Sequence, residues 1–161
     1  VGGVEAFNMG MRLFVYTVAS ILFAFAWMIV ASVASVQAQE YARNVALKAV
    51  AVDNYLSTRG FDQSHERHIA SLRSGQTDSV VFNLRANATY YIAAVCDADC
   101  SDLDLYAYDE NRNLVEQDEK SDAIPMVSIR PRWTGRFTMR VKMHQCRRNP
   151  CFFAMTIYQR K

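Results

Sequence analysis

Ten consecutive residues hold the densest group of chemically capable side chains in this chain: Cys96-Asp97-Ala98-Asp99-Cys100-Ser101-Asp102-Leu103-Asp104-Leu105. The aspartates Asp97, Asp99, Asp102 and Asp104 could chelate a hard cation, and the cysteines could close a disulfide. Calcium takes about six to eight oxygens, which carboxylates clustered on a stiff loop supply. Asp109 and Asp118 are further donors from neighbouring loops. The spacing is not that of an EF-hand, because the loop lacks glycine at position 6 and glutamate at position 12. The competing expectation is structural. Asp102 and Asp104 would cap turns, accept backbone N–H groups or face solvent, because Leu103 and Leu105 point to one strand face and Asp104 to the other. Calcium is the only cofactor that the sequence suggests.

All four cysteines follow residue 95, as Cys96-x3-Cys100 and Cys146-x4-Cys151. An even count behind an export signal reads as a disulfide framework, with three connectivities open to four thiols. The local pairs Cys96–Cys100 and Cys146–Cys151 are the favoured expectation, each stapling a short loop. The rival is one zinc site built from all four thiols, which lacks C-x2-C knuckles and suits an oxidising compartment poorly.

Catalytic signals are thin. His65, His68 and His144 are the histidines, no G-x-S-x-G elbow is present, and the cysteines are expected to be oxidised. His65-Glu66-Arg67-His68 is not H-E-x-x-H, and a solvated loop or short helix is the expectation there. A carboxylate pair could be drawn from the acidic loop, but acids crowded into one loop offer little cleft. The expectation is a protein that is not an enzyme.

The elements that must position these residues begin with an apolar run. From Leu13 to Val36 no residue is charged, Arg12 precedes the run, and Val36-Gln37-Ala38 ends it with residues a signal peptidase reads. Residues 1–38 are expected to be a leader and signal peptide cleaved after Ala38, with Met11-Arg12 as the working start. The alternative is an uncleaved membrane anchor, since the run is long enough to cross a bilayer. Either way residues 39–161 face the periplasm or the exterior.

The 161 residues leave room for one ordinary domain, and 51% apolar with 21% charged residues is a globular balance. The net charge is only +2, yet it is unevenly spread. Ten acidic residues fall between Asp97 and Asp122, while nine basic and no acidic residues fall between Arg130 and Lys161. The plain reading is solvated outer faces of neighbouring strands. The sharper one is two patches, one for cations and one for anionic surfaces such as lipid head groups or polysaccharide. No nucleic-acid motif accompanies the basic residues. The partner is therefore expected to be an envelope or extracellular glycan, anionic surface or protein, with membrane contact only through the N-terminal segment.

Gln39 to Arg59 reads as one helix ended by Gly60, with Tyr41, Val45, Val52, Tyr55 and Leu56 as its apolar stripe. Phe61 to Gly75 is polar and reads as irregular connector, so 39–75 is expected to be helix and connector and 76–161 the sandwich domain. From Ser79 the period becomes two. Phe137, Met139, Val141 and Met143 alternate with Thr138, Arg140, Lys142 and His144. About seven short strands with turns between them predict an all-β, jelly-roll-like antiparallel sandwich preceded by the helix.

The order of features is also familiar: Phe82 and Leu84, Tyr91-Ile92, Asp102-Leu103-Asp104-Leu105-Tyr106, Asp118, Pro131 and Gly135-Arg136-Phe137-Thr138-Met139-Arg140-Val141. This resembles the bacterial pre-peptidase C-terminal domain over roughly residues 76–160. The resemblance implies a β-sandwich and an accessory, non-catalytic module, associated in some relatives with calcium, substrate or surface binding. The two cysteine pairs depart from the family pattern. The expectation is a small stand-alone exported relative. It would serve as a binding or interaction module. The different-class alternative is a structural envelope protein held by an uncleaved N-terminal helix.

Overall fold

The computed structural model describes Val36 and residues 39–161. Apart from Val36, the expected leader, its cleavage point and the alternative anchor lie outside the described residues. Among the described residues, no helix is long and apolar enough to cross a membrane. The compact unit Tyr41–Lys161 carries the fold.

That fold is an antiparallel β-sandwich with one helix, α1, over residues 39–57. Nine strands follow in place of the seven expected: β1 Phe61–Gln63, β2 His68–Leu72, β3 Thr77–Leu84, β4 Tyr90–Cys96, β5 Cys100–Tyr108, β6 Leu114–Asp118, β7 Met126–Ile129, β8 Gly135–Cys146 and β9 Cys151–Arg160. One sheet, here sheet A, runs β1-β9-β4-β7 with β2 also on β9, and sheet B runs β3-β8-β5-β6. The stretch read as an irregular connector therefore supplies two strands, and Leu72 pairs with Cys151 while Phe61 pairs with Arg160.

Apolar patterning explains the layers. In β4, Tyr90, Ile92, Ala94 and Cys96 face the space between the sheets, joined there by Phe153, Met155 and Ile157 of β9. Sheet B supplies Leu103, Leu105, Phe137, Met139, Val141 and Met143 to the same core. The alternate residues of sheet A, Ala93, Val95, Ala154 and Tyr158, face outward but are buried under α1. β4 and β9 read as near-continuous apolar runs because both of their faces are covered.

Val45, Ala49, Val52 and Leu56, spaced four, three and four apart, form the buried stripe of α1. Tyr55, expected on that stripe, is instead 51% exposed and lies under the Arg59 guanidinium at 3.5 Å. One polar cluster fixes the helix to sheet A. Arg67 Nη2 donates to both Asp53 oxygens at 2.7 and 2.6 Å, its Nε donates to Thr156 at 2.9 Å, and the Tyr158 hydroxyl donates to Asp53 at 2.6 Å. Burial first, then the Asp53 carboxylate, pushes the Tyr158 phenol well above the usual tyrosine range. Gly60 ends the helical turn at φ +80°, a left-handed conformation that glycine adopts without strain.

Candidate functional site

The cysteines pair locally, Cys96 with Cys100 and Cys146 with Cys151, at Cα separations of 5.9 and 5.8 Å. Cys100 and Cys146 are themselves opposite each other in the β5–β8 ladder, so both bridges lie at one end of the sandwich. Each joins a strand of sheet A to a strand of sheet B. Disulfides persist in oxidising compartments, and this pair fits an exported protein.

The four aspartates of the quartet have different surroundings. Asp97 is 1% exposed, and its Oδ1 accepts from the amides of Asp99 and Cys100 at 3.0 and 3.2 Å. Its Oδ2 accepts from the amide of Phe152 at 2.7 Å, while its own amide donates to the Phe152 carbonyl at 3.0 Å. Asp97 thereby ties the β4–β5 arch to the start of β9. Asp99 accepts from the Tyr41 hydroxyl at 3.3 Å and lies 4.0 Å from Arg148. Asp102 sits where the β5–β8 register shifts, nine-tenths buried, and its Oδ1 has no hydrogen-bond partner. Asp104 lies on the outer face of sheet B, 3.6 Å from Lys142 Nζ and 3.8 Å from His144 Nδ1. The further donors are engaged as well: Asp118 accepts from the amide of Met126, and Asp109 accepts from the amides of Asn111 and Asn113. The Asn113 side-chain hydrogen bond holds Asp109 below the usual carboxylate range. Among the described residues, no group of three or more His, Cys, Asp and Glu side chains is placed to hold a metal ion.

The histidines of the supposed loop bridge the sheets. His68 Nε2 lies 2.7 Å from Asp78 Oδ2 and so links β2 to β3, and His65 Nε2 lies 3.3 Å from the Asn83 carbonyl. Ser64 Oγ is 2.9 Å from His65 Nδ1, but the same hydroxyl donates to the Ile157 carbonyl at 3.2 Å. These contacts close the flank of the sandwich.

The open surface lies on sheet B. Its outward residues fall in register as Thr77, Lys142 and Asp104, then Ser79, Arg140 and Tyr106, then Val81, Thr138 and Tyr108. Ser79, Val81, Arg136 and Arg140 are exposed, and Tyr106, Tyr108, Thr138 and Lys142 are partly so. The rings of Tyr106 and Tyr108 lie 6.4 Å apart at an interplanar angle of 24°. Arg140 donates to Ser79 Oγ at 3.3 Å and places its guanidinium 4.8 Å from the Tyr108 ring centre. The Tyr106 hydroxyl donates to Glu119 at 2.6 Å. Burial, then that bond and the Asp104 charge, pushes its pKa well above the ordinary value.

Beside Tyr108 a cavity of about 320 Å3 is lined by Val81, Asp109, Glu110, Arg112, Arg136 and Thr138. The turn after β5 builds its wall, with Arg112 at φ +65° donating its amide to the Asp109 carbonyl at 3.0 Å. The alternation along β8 and the basic run after Arg130 are legible in the sequence, both as solvated outer face and as a patch for anionic surfaces. The signal that could have found this surface is the coincidence of that basic outward row with Tyr106 and Tyr108 on a neighbouring strand.

No protein-family model matches the chain, and no curated protein matches it. Among solved structures it is similar to the pre-peptidase C-terminal domain of a collagenase from Bacillus anthracis, with 13% identity and a TM-score of 0.47 over 57% of this chain and 87% of that one. It is also similar to a periplasmic inhibitor of g-type lysozyme from Aeromonas hydrophila, with 10% identity and a TM-score of 0.41 over 57% and 84% of the two chains. A third is the Yersinia pseudotuberculosis-derived mitogen, with 5% identity and a TM-score of 0.48 over 59% and 85%. The domain type that residues 76–160 resemble thus stands among the solved folds similar to this chain.

Proposed function

We propose that this chain is an exported, non-catalytic binding module that takes a glycan on the outer face of sheet B. The observation that carries this reading is the asymmetry between the two sheets. α1 covers the outer face of sheet A, whereas sheet B presents Tyr106 and Tyr108 side by side among charged side chains. Aromatic rings take up the apolar face of a bound molecule, and a few placed polar groups fix its orientation. Pyranose rings offer both, an apolar C–H face and hydroxyls at the rim. Tyr106 is held by Glu119 and Asp104, so little ordering is left for binding to bring about.

The test is binding of the purified chain to a glycan array, followed by titration of the retained glycans. The double variant Tyr106→Ala/Tyr108→Ala is expected to lose at least tenfold in affinity while keeping its circular dichroism spectrum. Absence of any retained glycan, or unchanged affinity in the double variant, would overturn the proposal.

A further inference from the structure

We infer that the ligand of sheet B is an acidic glycan, whose carboxylates are read by Arg136 and Arg140 with Arg112 beside them. This rests on the glycan reading above and adds the ligand's charge. Along β8 the outward positions are Arg136, Thr138, Arg140, Lys142 and His144. Asp104 lies against Lys142 and His144 and offsets the positive charge at that end of the row. Among the described residues, no carboxylate lies within ion-pairing distance of Arg112, Arg136 or Arg140. Three guanidinium groups thus flank Tyr108 and the cavity beside it.

Two carboxylates, Asp109 and Glu110, line the same cavity, but neither makes an ion pair with these arginines. Asp109 is engaged by the amides of its own turn and by the Asn113 side chain. Glu110 is exposed and leans towards Gly135 and Trp133, its Oε2 3.2 Å from where a Gly135 Cβ would stand. Guanidinium groups form planar, two-point hydrogen bonds to carboxylates, which a lysine row would not reproduce. Val81 and Tyr108 supply apolar surface for the ring that carries the acid.

Arg136 and Arg140 stand four residues apart on one strand face, about 13 Å along β8. An oligomer can engage both at once, so affinity is expected to rise with chain length. It is also expected to fall as salt is added, because the groups are exposed.

The experiment compares polygalacturonate and hyaluronan with their carboxyl-reduced forms, using the chain, Arg136→Gln/Arg140→Gln, and the control Arg148→Gln/Arg160→Gln, whose residues lie at the disulfide end and on sheet A. All four arginines are exposed, so both variants are expected to fold. The expected result is at least tenfold preference for an acidic polymer over its reduced form. That preference disappears in Arg136→Gln/Arg140→Gln and survives in the distal control. Equal binding to acidic and reduced forms would overturn the charge assignment and leave the glycan reading standing. Equal loss in the distal control would reduce the preference to bulk charge and overturn the site. Tighter binding to phosphatidylglycerol vesicles that depends on Arg136 and Arg140 would give the row to lipid and overturn the inference. Retention of no glycan at all would remove both readings.

Discussion

Replacing Asp97 separates a loop-organising carboxylate from a cation ligand. Its two oxygens accept three backbone N–H groups, at 3.0, 3.2 and 2.7 Å, from a site that is 1% exposed. Hydrogen bonds to a charged group contribute about 1.5–3 kcal/mol each, and a buried donor left alone costs about 1–3 kcal/mol. The bonds from the Asp99 and Phe152 amides are part-buried, whereas that from the Cys100 amide is buried and cannot recover water. Asp97→Ala is therefore expected to cost about 3–4 kcal/mol. Asp97→Asn keeps one acceptor but can set its NH2 against the Phe152 amide, and should cost about 2 kcal/mol. Asp99→Ala, which loses one long bond to Tyr41 and one distant arginine, should cost less than about 1 kcal/mol. The assay is urea denaturation of the oxidised chain in excess chelator. A ligand-only Asp97 would show no loss under chelation. If Asp97→Ala is no worse than Asp99→Ala there, the hydrogen-bond reasoning is wrong.

Three further outcomes are expected. Removing either cysteine pair, as Cys96→Ala/Cys100→Ala or Cys146→Ala/Cys151→Ala, should lower stability by about 2 kcal/mol, because the closed loops are short; a collapse of the fold from one pair alone would contradict this. Asp102→Val should raise the urea midpoint by an amount equivalent to about 1 kcal/mol, since it removes a buried oxygen without a partner from a strand position; a lowered midpoint would show that the carboxylate is satisfied in solution. Tyr158 and Tyr106 both have folded pKa values raised above that of a free tyrosine. Their stabilising effect is full below about pH 10 and is lost as pH rises from there through the folded values. Tyr106→Phe/Tyr158→Phe should therefore flatten the alkaline limb of stability against pH, and an unchanged limb would refute the assignment.

The legible parts of the fold are those where burial writes a period into the sequence. β8 alternates because one face meets the core, and Phe137, Met139, Val141 and Met143 are all buried. β2 was not legible because its pattern is inverted. His68 turns towards the core, held there by Asp78, while Ile69 is exposed, so the polar side chain occupies the position an apolar one would mark. The disulfide pairing followed from short spacing between strand ends. The arrangement of the aspartate cluster was not legible for a related reason. Adjacency in sequence becomes convergence in space only if the backbone keeps the carboxylates on one side, and here a loop, a register shift and strand alternation send them to three surroundings. Tyr106 and Tyr108 escaped notice because the two rings meet only once the strand register is known.

Both disulfides join sheet A to sheet B at the same end, as a binding joins the covers of a book. The opposite end, where Leu84 pairs with Gly135 and Tyr90 with Ile129, is joined only by the connecting loops 85–89 and 130–134 and carries no disulfide. Partial opening of the oxidised chain is therefore expected to start at that end and travel towards the disulfide-bound one. Amide exchange should follow the same gradient, with Leu84 and Tyr90 opening before Cys96 and Phe153. An oxidising compartment thus gives the molecule a direction of breathing as well as added stability.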